Sequence, residues 1–183
     1  VAALLYNRFK KQSYLEDAKA LYSFNIKNMP DAERVEEPPL SYTQGTFAEA
    51  ARVLFHITGE QSYMDKAAQV LLYGLESNRT TSGGLLRSEG ENMDQSIFKA
   101  VFIPYAVNYV LDADADMNSA GRIKDKLLKN AEALYKHIDR THYPSMFCNY
   151  WWGETLPQGT RVSMGAQASG ASLMENVARM VKK

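Results

Sequence analysis

Gln61-Ser62-Tyr63-Met64-Asp65-Lys66-Ala67 repeats Gln12-Ser13-Tyr14-Leu15-Glu16-Asp17-Ala18 at an offset of 49 positions, with four residues identical and Met for Leu and Asp for Glu as conservative changes. The match extends upstream at the same offset: Ala2 with Ala51, Leu5 with Leu54, Tyr6 with Phe55. The repeated unit is therefore a pair of helices. A hairpin of two helices cannot bury its own apolar stripe, so a fixed period of this size implies a helical array or toroid in which each pair packs on its neighbours.

Apolar residues at helical spacing predict about seven amphipathic helices and no strand. The first covers Ala2 to Phe9. The second starts at Ser13 as N-cap, carries Tyr14, Leu15, Ala18, Leu21 and Tyr22, and ends at Met29-Pro30. The third has Phe47, Ala50, Ala51, Leu54 and Phe55 on one face and stops at Gly59. The fourth runs from Ser62 through Tyr63, Ala67, Val70 and Leu71. A flexible turn at Thr81-Ser82-Gly83-Gly84 precedes the fifth, with Ile97, Phe98, Val101, Phe102, Tyr105 and Tyr109, where Pro104 is expected to introduce a kink. The sixth spans roughly Ser119 to Asp139 and the seventh Gly165 to Val181. Small-residue clusters open the third (Gly45, Ala48, Ala50, Ala51) and the seventh (Gly165, Ala166, Ala168, Gly170, Ala171), whereas the second, fourth and sixth are more charged. Small side chains suit a crowded inner ring and charge suits a solvated outer one. The expected fold is all-α, an α/α toroid with odd helices inside and even helices outside, in one domain over residues 1–183.

Basic and acidic residues balance at 21 each, so the chain has no electrostatic footprint for nucleic acid or an anionic membrane. No apolar run is long enough to span a bilayer. The single cysteine, Cys148, excludes an internal disulfide framework and offers no metal spacing. Eleven tyrosines and two tryptophans in a charge-neutral chain favour a cleft for uncharged, partly apolar ligands such as sugars.

Four ordered stretches carry a resemblance. They are Ser41-Tyr42-Thr43-Gln44-Gly45-Thr46-Phe47 opening a helix, Leu54 to Ala67 across a Thr58-Gly59 turn, Asp94-Gln95-Ser96-Ile97-Phe98-Lys99-Ala100-Val101-Phe102, and Gln167-Ala168-Ser169. Together they resemble glycoside hydrolase family 76, endo-α-1,6-mannanases of bacteria with fungal cell-wall relatives. Where the family shows Tyr-Asn-Gln-Gly and Phe-Lys-Gly-Ile-Phe, this chain has Tyr-Thr-Gln-Gly and Phe-Lys-Ala-Val-Phe. The resemblance implies an (α/α)6 toroid of twelve helices, of which seven are present here, and places the chain in the C-terminal portion of the catalytic domain. It also implies a two-carboxylate retaining mechanism acting on α-1,6-linked mannan, with no cofactor and a secreted, periplasmic or cell-surface location, although no signal peptide is present. The adjacent Asp-Asp pair that does the family's chemistry belongs to an earlier hairpin, and no Asp-Asp dipeptide occurs in these residues. The catalytic residues are thus expected upstream, with cleft walls supplied here. The alternatives are a non-catalytic carbohydrate-binding relative or another α/α-toroid sugar-active enzyme.

The inner-helix N-termini are expected to open on one rim and to bring Tyr42, Gln44, Asp94 and Gln167 together, with Trp151 or Trp152 beside them as a stacking face. Other readings stand for each: a buried helix-start tyrosine, an N-cap at Asp94, a tryptophan that plugs the toroid base. Lys99 pairs with Asp94 or Gln95, or contacts ligand. Glu89, Glu91 and Glu154 are further acids within reach of the mouth. Asp112, Asp114, Asp116 and Asn118 imitate the start of a calcium loop, but Met117 stands where glycine is needed and Ile123 where glutamate is, so a solvated turn fits better. His56, His137 and His142 lack paired ligand spacing. No metal site is expected, and the Asn78-Arg79-Thr80 sequon is a chance tripeptide.

Overall fold

The computed structural model describes residues 1–28 and 36–182. Among them are seven helices, α1 (Ala2–Phe9), α2 (Gln12–Asn28), α3 (Ser41–Thr58), α4 (Gln61–Glu76), α5 (Met93–Val110), α6 (Met117–His137) and α7 (Met164–Val181). One hairpin, β1 (Thr81–Ser82) and β2 (Leu85–Leu86), completes the secondary structure. The expected helix end at Met29-Pro30 lies outside the described residues.

The repeat is visible in the backbone. Gln12 and Gln61 are each the first residue of a helix, and two positions earlier Lys10 and Gly59 each take a left-handed conformation, at φ 53° and 74°. Their N–H groups donate to Tyr6 O and Phe55 O, both at 2.7 Å, which closes the preceding helix in the same way each time. Because the chain already turns there, Ser13 and Ser62 fall inside their helices rather than at the caps.

The layering follows the odd and even alternation. α5 packs between α3 and α7, α1 lies beside α3, and α4 lies beside α6. The inner row is close-packed where glycine permits it: a Cβ on Gly45 would sit 2.7 Å from Phe102 Cα, so the α3 and α5 backbones approach more closely than any side chain allows. Phe102, Ile103, Ala106 and Val107 of α5 are wholly buried. Pro104 does not interrupt α5. Its ring nitrogen cannot donate to Ala100 O, and the hydroxyl of Ser172 on α7 fills that acceptor at 3.0 Å. The acceptor that the proline leaves open is thereby filled by an inter-helix hydrogen bond.

The Gly83-Gly84 segment is the turn of the hairpin, with Thr81 paired to Leu86 and Ser82 to Leu85. Both glycines have positive φ, the requirement of a two-residue hairpin loop. Two residues per strand are too few to show alternation, which is why the sequence pattern gave no strand. Leu86 N–H donates to Asn130 Oδ1 at 2.9 Å and fastens the hairpin to α6.

Candidate functional site

The N-termini of α3, α5 and α7 meet at one end of the inner row. The rings of Tyr42 and Phe98 lie 4.5 Å apart and join the first turns of α3 and α5. A Cβ on Gly165 would collide with Ser96, and Ser163 Oγ lies 3.4 Å from Ser96 Oγ, so α7 starts directly against α5. Each start is capped differently. Asn92 accepts from Gln95 N–H at 2.8 Å, and Ser163 accepts from Ala166 N–H at 3.3 Å. Leu40 has no capping side chain, and Glu89 from the hairpin-to-α5 loop takes that role, accepting from Ser41 N–H at 2.6 Å and from the Ser41 hydroxyl. A carboxylate at a helix N-terminus is favoured by the helix dipole.

The expected site residues divide into two groups. Tyr42, Asp94 and Trp151 keep solvent-accessible surface: Tyr42 and Asp94 are exposed and Trp151 is half-buried beside Gly153 and the hairpin glycine Gly83. Asp94 lies in the first turn of α5, and the cap there is Asn92. Gln44, Gln167 and Trp152 are committed to the protein. Gln44 is buried, its amide donating to Pro39 O at 3.2 Å. Gln167 grips the main chain of Cys148, accepting from its N–H at 2.8 Å and donating to its carbonyl at 2.9 Å. Trp152 is only 1% exposed, so it presents no face to a sugar. The plug assigned to one of the two tryptophans is therefore Trp152.

Lys99 pairs with neither Asp94 nor Gln95. At 3% exposure it reaches under the rim, donates to Tyr150 O at 2.5 Å and lies 4.0 Å from the centre of a Trp152 ring. Burial lowers its pKa to about 8, against the pull of Glu89 and Cys148 in the other direction. A small cavity beside it is lined by Ser41, Gln44, Arg87 and Glu89. Sequence spacing shows only that Lys99 follows Asp94 by five residues. That its ammonium turns inward is a property of the packing, and a lysine amid the apolar run Ile97, Phe98, Val101, Phe102 was the one available signal.

At the opposite end of the same helices lies a charged network. Arg52 donates to Glu49 and to Asp112, the latter at 2.6 Å, and His56 Nε2 stands 2.6 Å from the same Asp112 oxygen. Asn108 of α5 connects Glu49 to Arg179 of α7. Burial pushes the Asp112 pKa up, but hydrogen bonds from His56, Arg52 and Asp114 N–H outweigh it and hold the carboxyl below its usual value. The calcium-like run is used up here: Asp112 by the ion pairs, Asp116 as the cap of α6 through Ser119 N–H. Donor atoms of His56, Asp112 and Asp114 do lie within 4.8 Å of one another. The Arg52 guanidinium already occupies the shared Asp112 oxygen, so the arrangement is that of an ion-pair cluster.

No curated protein matches the chain. The sequence profile described as Glycosyl hydrolase family 76 matches residues 1–183. The chain belongs to that family. Among solved structures, the GH76A α-1,6-mannanase of Salegentibacter sp. is similar at 26% identity and a TM-score of 0.85, over 98% of this chain and 56% of that one. An inactive variant of it, with two successive aspartates changed to asparagine and α-1,6-mannotriose bound, is similar at 27% identity and a TM-score of 0.85, again over 98% and 56%. A Listeria innocua protein shares the fold at 23% identity and a TM-score of 0.81, over 99% of this chain and 53% of that one. The chain thus spans little more than half the length of these solved structures. No helix among the described residues is long and apolar enough to cross a membrane.

Proposed function

We propose that these residues form part of a glycoside hydrolase acting on α-1,6-linked mannan, and that they build walls of its saccharide cleft. The observation that carries this reading is the meeting of three inner-helix N-termini at one rim, where Tyr42 and Asp94 are exposed, in a chain similar to an inactive mannanase variant with α-1,6-mannotriose bound. In this reading Tyr42 and Trp151 stack on pyranose faces, Asp94 accepts from sugar hydroxyls, and Gln44, Gln167 and Trp152 hold the walls.

The reacting pair is assigned to residues outside this chain, since no Asp-Asp dipeptide occurs within it and the inactive relative carries changes at two successive aspartates. One of those carboxylates would attack the anomeric carbon while the other protonates the leaving oxygen. Glu89 is a poor substitute for either, being held by Ser41 at the start of α3. A secreted, periplasmic or surface location goes with a polysaccharide substrate. The test is product release from α-1,6-mannan. The full-length protein should cleave it and these 183 residues alone should not. Turnover by the shorter chain would place the reacting acids within it, with Asp94 and Glu91 the first to examine.

A further inference from the structure

The wall between α6 and α7 contains almost no regular structure, yet from Phe147 to Trp152 its main chain is held at nearly every step. Phe147 bridges to Asp139, Gln167 of α7 grips Cys148, Lys99 of α5 takes Tyr150 O, and His137 of α6 contacts Trp152 O at 3.2 Å. Lys99 supplies the link to α5, the central inner helix. Its two contacts, with Tyr150 and Trp152, bracket Trp151 in sequence. Resting on the saccharide reading above, we propose that Lys99 is a positioning residue of the cleft: it fixes Tyr150 and Trp152 from beneath and so sets Trp151 at the rim.

The alternative is a lysine that merely fills space. A methionine of similar length would fill the same volume without bringing a charge out of water, and the lowered pKa, about 8, shows that burial of this ammonium opposes folding. The charge therefore brings no net gain in stability that packing requires. What it brings is direction, through one charge-assisted hydrogen bond to a carbonyl and one cation–π contact. The charged and titratable groups facing it are Glu89 and Arg87 from the loop before α5 and Cys148 from the loop after α6.

The experiment uses the full-length protein labelled with 5-fluorotryptophan, which resolves each indole by fluorine NMR, together with thermal unfolding and titration with α-1,6-mannotriose. Lys99→Met should unfold at an unchanged or higher temperature, move the Trp151 and Trp152 resonances, and weaken mannotriose binding about tenfold. In the unsubstituted protein the same two resonances should move as the Lys99 ammonium loses its proton, and that movement should be absent in Lys99→Met. Unmoved resonances in Lys99→Met would overturn the positioning role. So would a loss of affinity that merely follows a loss of stability. Resonance shifts in a protein that binds no mannotriose would instead overturn the saccharide reading and leave the loop geometry standing.

Discussion

The two ends of the inner helices solve opposite problems with similar residue types. At the N-terminal rim, side chains hold main chains: Gln167 on Cys148, Lys99 on Tyr150, Glu89 on Ser41, Asn92 on Gln95. At the C-terminal end, side chains hold one another through Arg52, Asp112, Glu49 and His56. The first arrangement gives loops without regular structure a fixed shape, which a rigid wall for a neutral ligand needs. The second closes the far end with charge and pins the short α5–α6 connection through Asp112. Function is therefore expected at the rim and pH-dependent stability at the far end.

The largest expected effect separates the two ends directly. Gln167→Ala leaves the Cys148 N–H and carbonyl without partners and should destabilise the protein by about 2–4 kcal/mol, measured by urea unfolding. It should also weaken mannotriose binding, since the wall it supports would loosen. At the other end, Arg52→Ala leaves Asp112, whose side chain is 4% exposed, with only His56 and its own turn. A loss of about 2 kcal/mol is expected there, with mannotriose affinity unchanged. Equal binding defects in both variants would erase the contrast drawn between rim and far end.

A smaller effect concerns acid. The Asp112 carboxyl is held below its usual value when folded, so its contribution to stability is fully present above the unfolded-state pKa and is lost as pH falls through the folded one. The stability difference between the protein and Asp112→Asn should then shrink as pH drops below about 4. A difference that stays constant through that range would mean that the network does not depend on the Asp112 charge.

How far the sequence could be read follows the same division. Helix positions and layering were legible because periodicity and small-residue clusters report on packing that extends over many residues, as in the 49-residue repeat and the Gly45 contact. Tyr42 and Asp94 were legible as helix-start residues because periodicity locates the first turns of α3 and α5, even though neither residue is a cap. Which side chains turn inward was not. Trp151 and Trp152 are adjacent and chemically identical, yet one is half-buried and the other is buried against the Lys99 ammonium. Gln167 has the composition of a ligand contact, but its partner is a carbonyl and an N–H 19 residues away in sequence. Contacts of that kind depend on loop path, and loop path leaves no period.

The central claim is that the rim formed by α3, α5 and α7 is the saccharide site. A crystal structure of the full-length protein, with the aspartates proposed above as the reacting pair changed to asparagine and α-1,6-mannotriose bound, tests this most directly. The account predicts a mannosyl unit against Tyr42 or Trp151, with a hydroxyl within hydrogen-bond distance of Asp94. A sugar seated at the His56–Asp112 end, or on the outer face of α4 and α6, would contradict it.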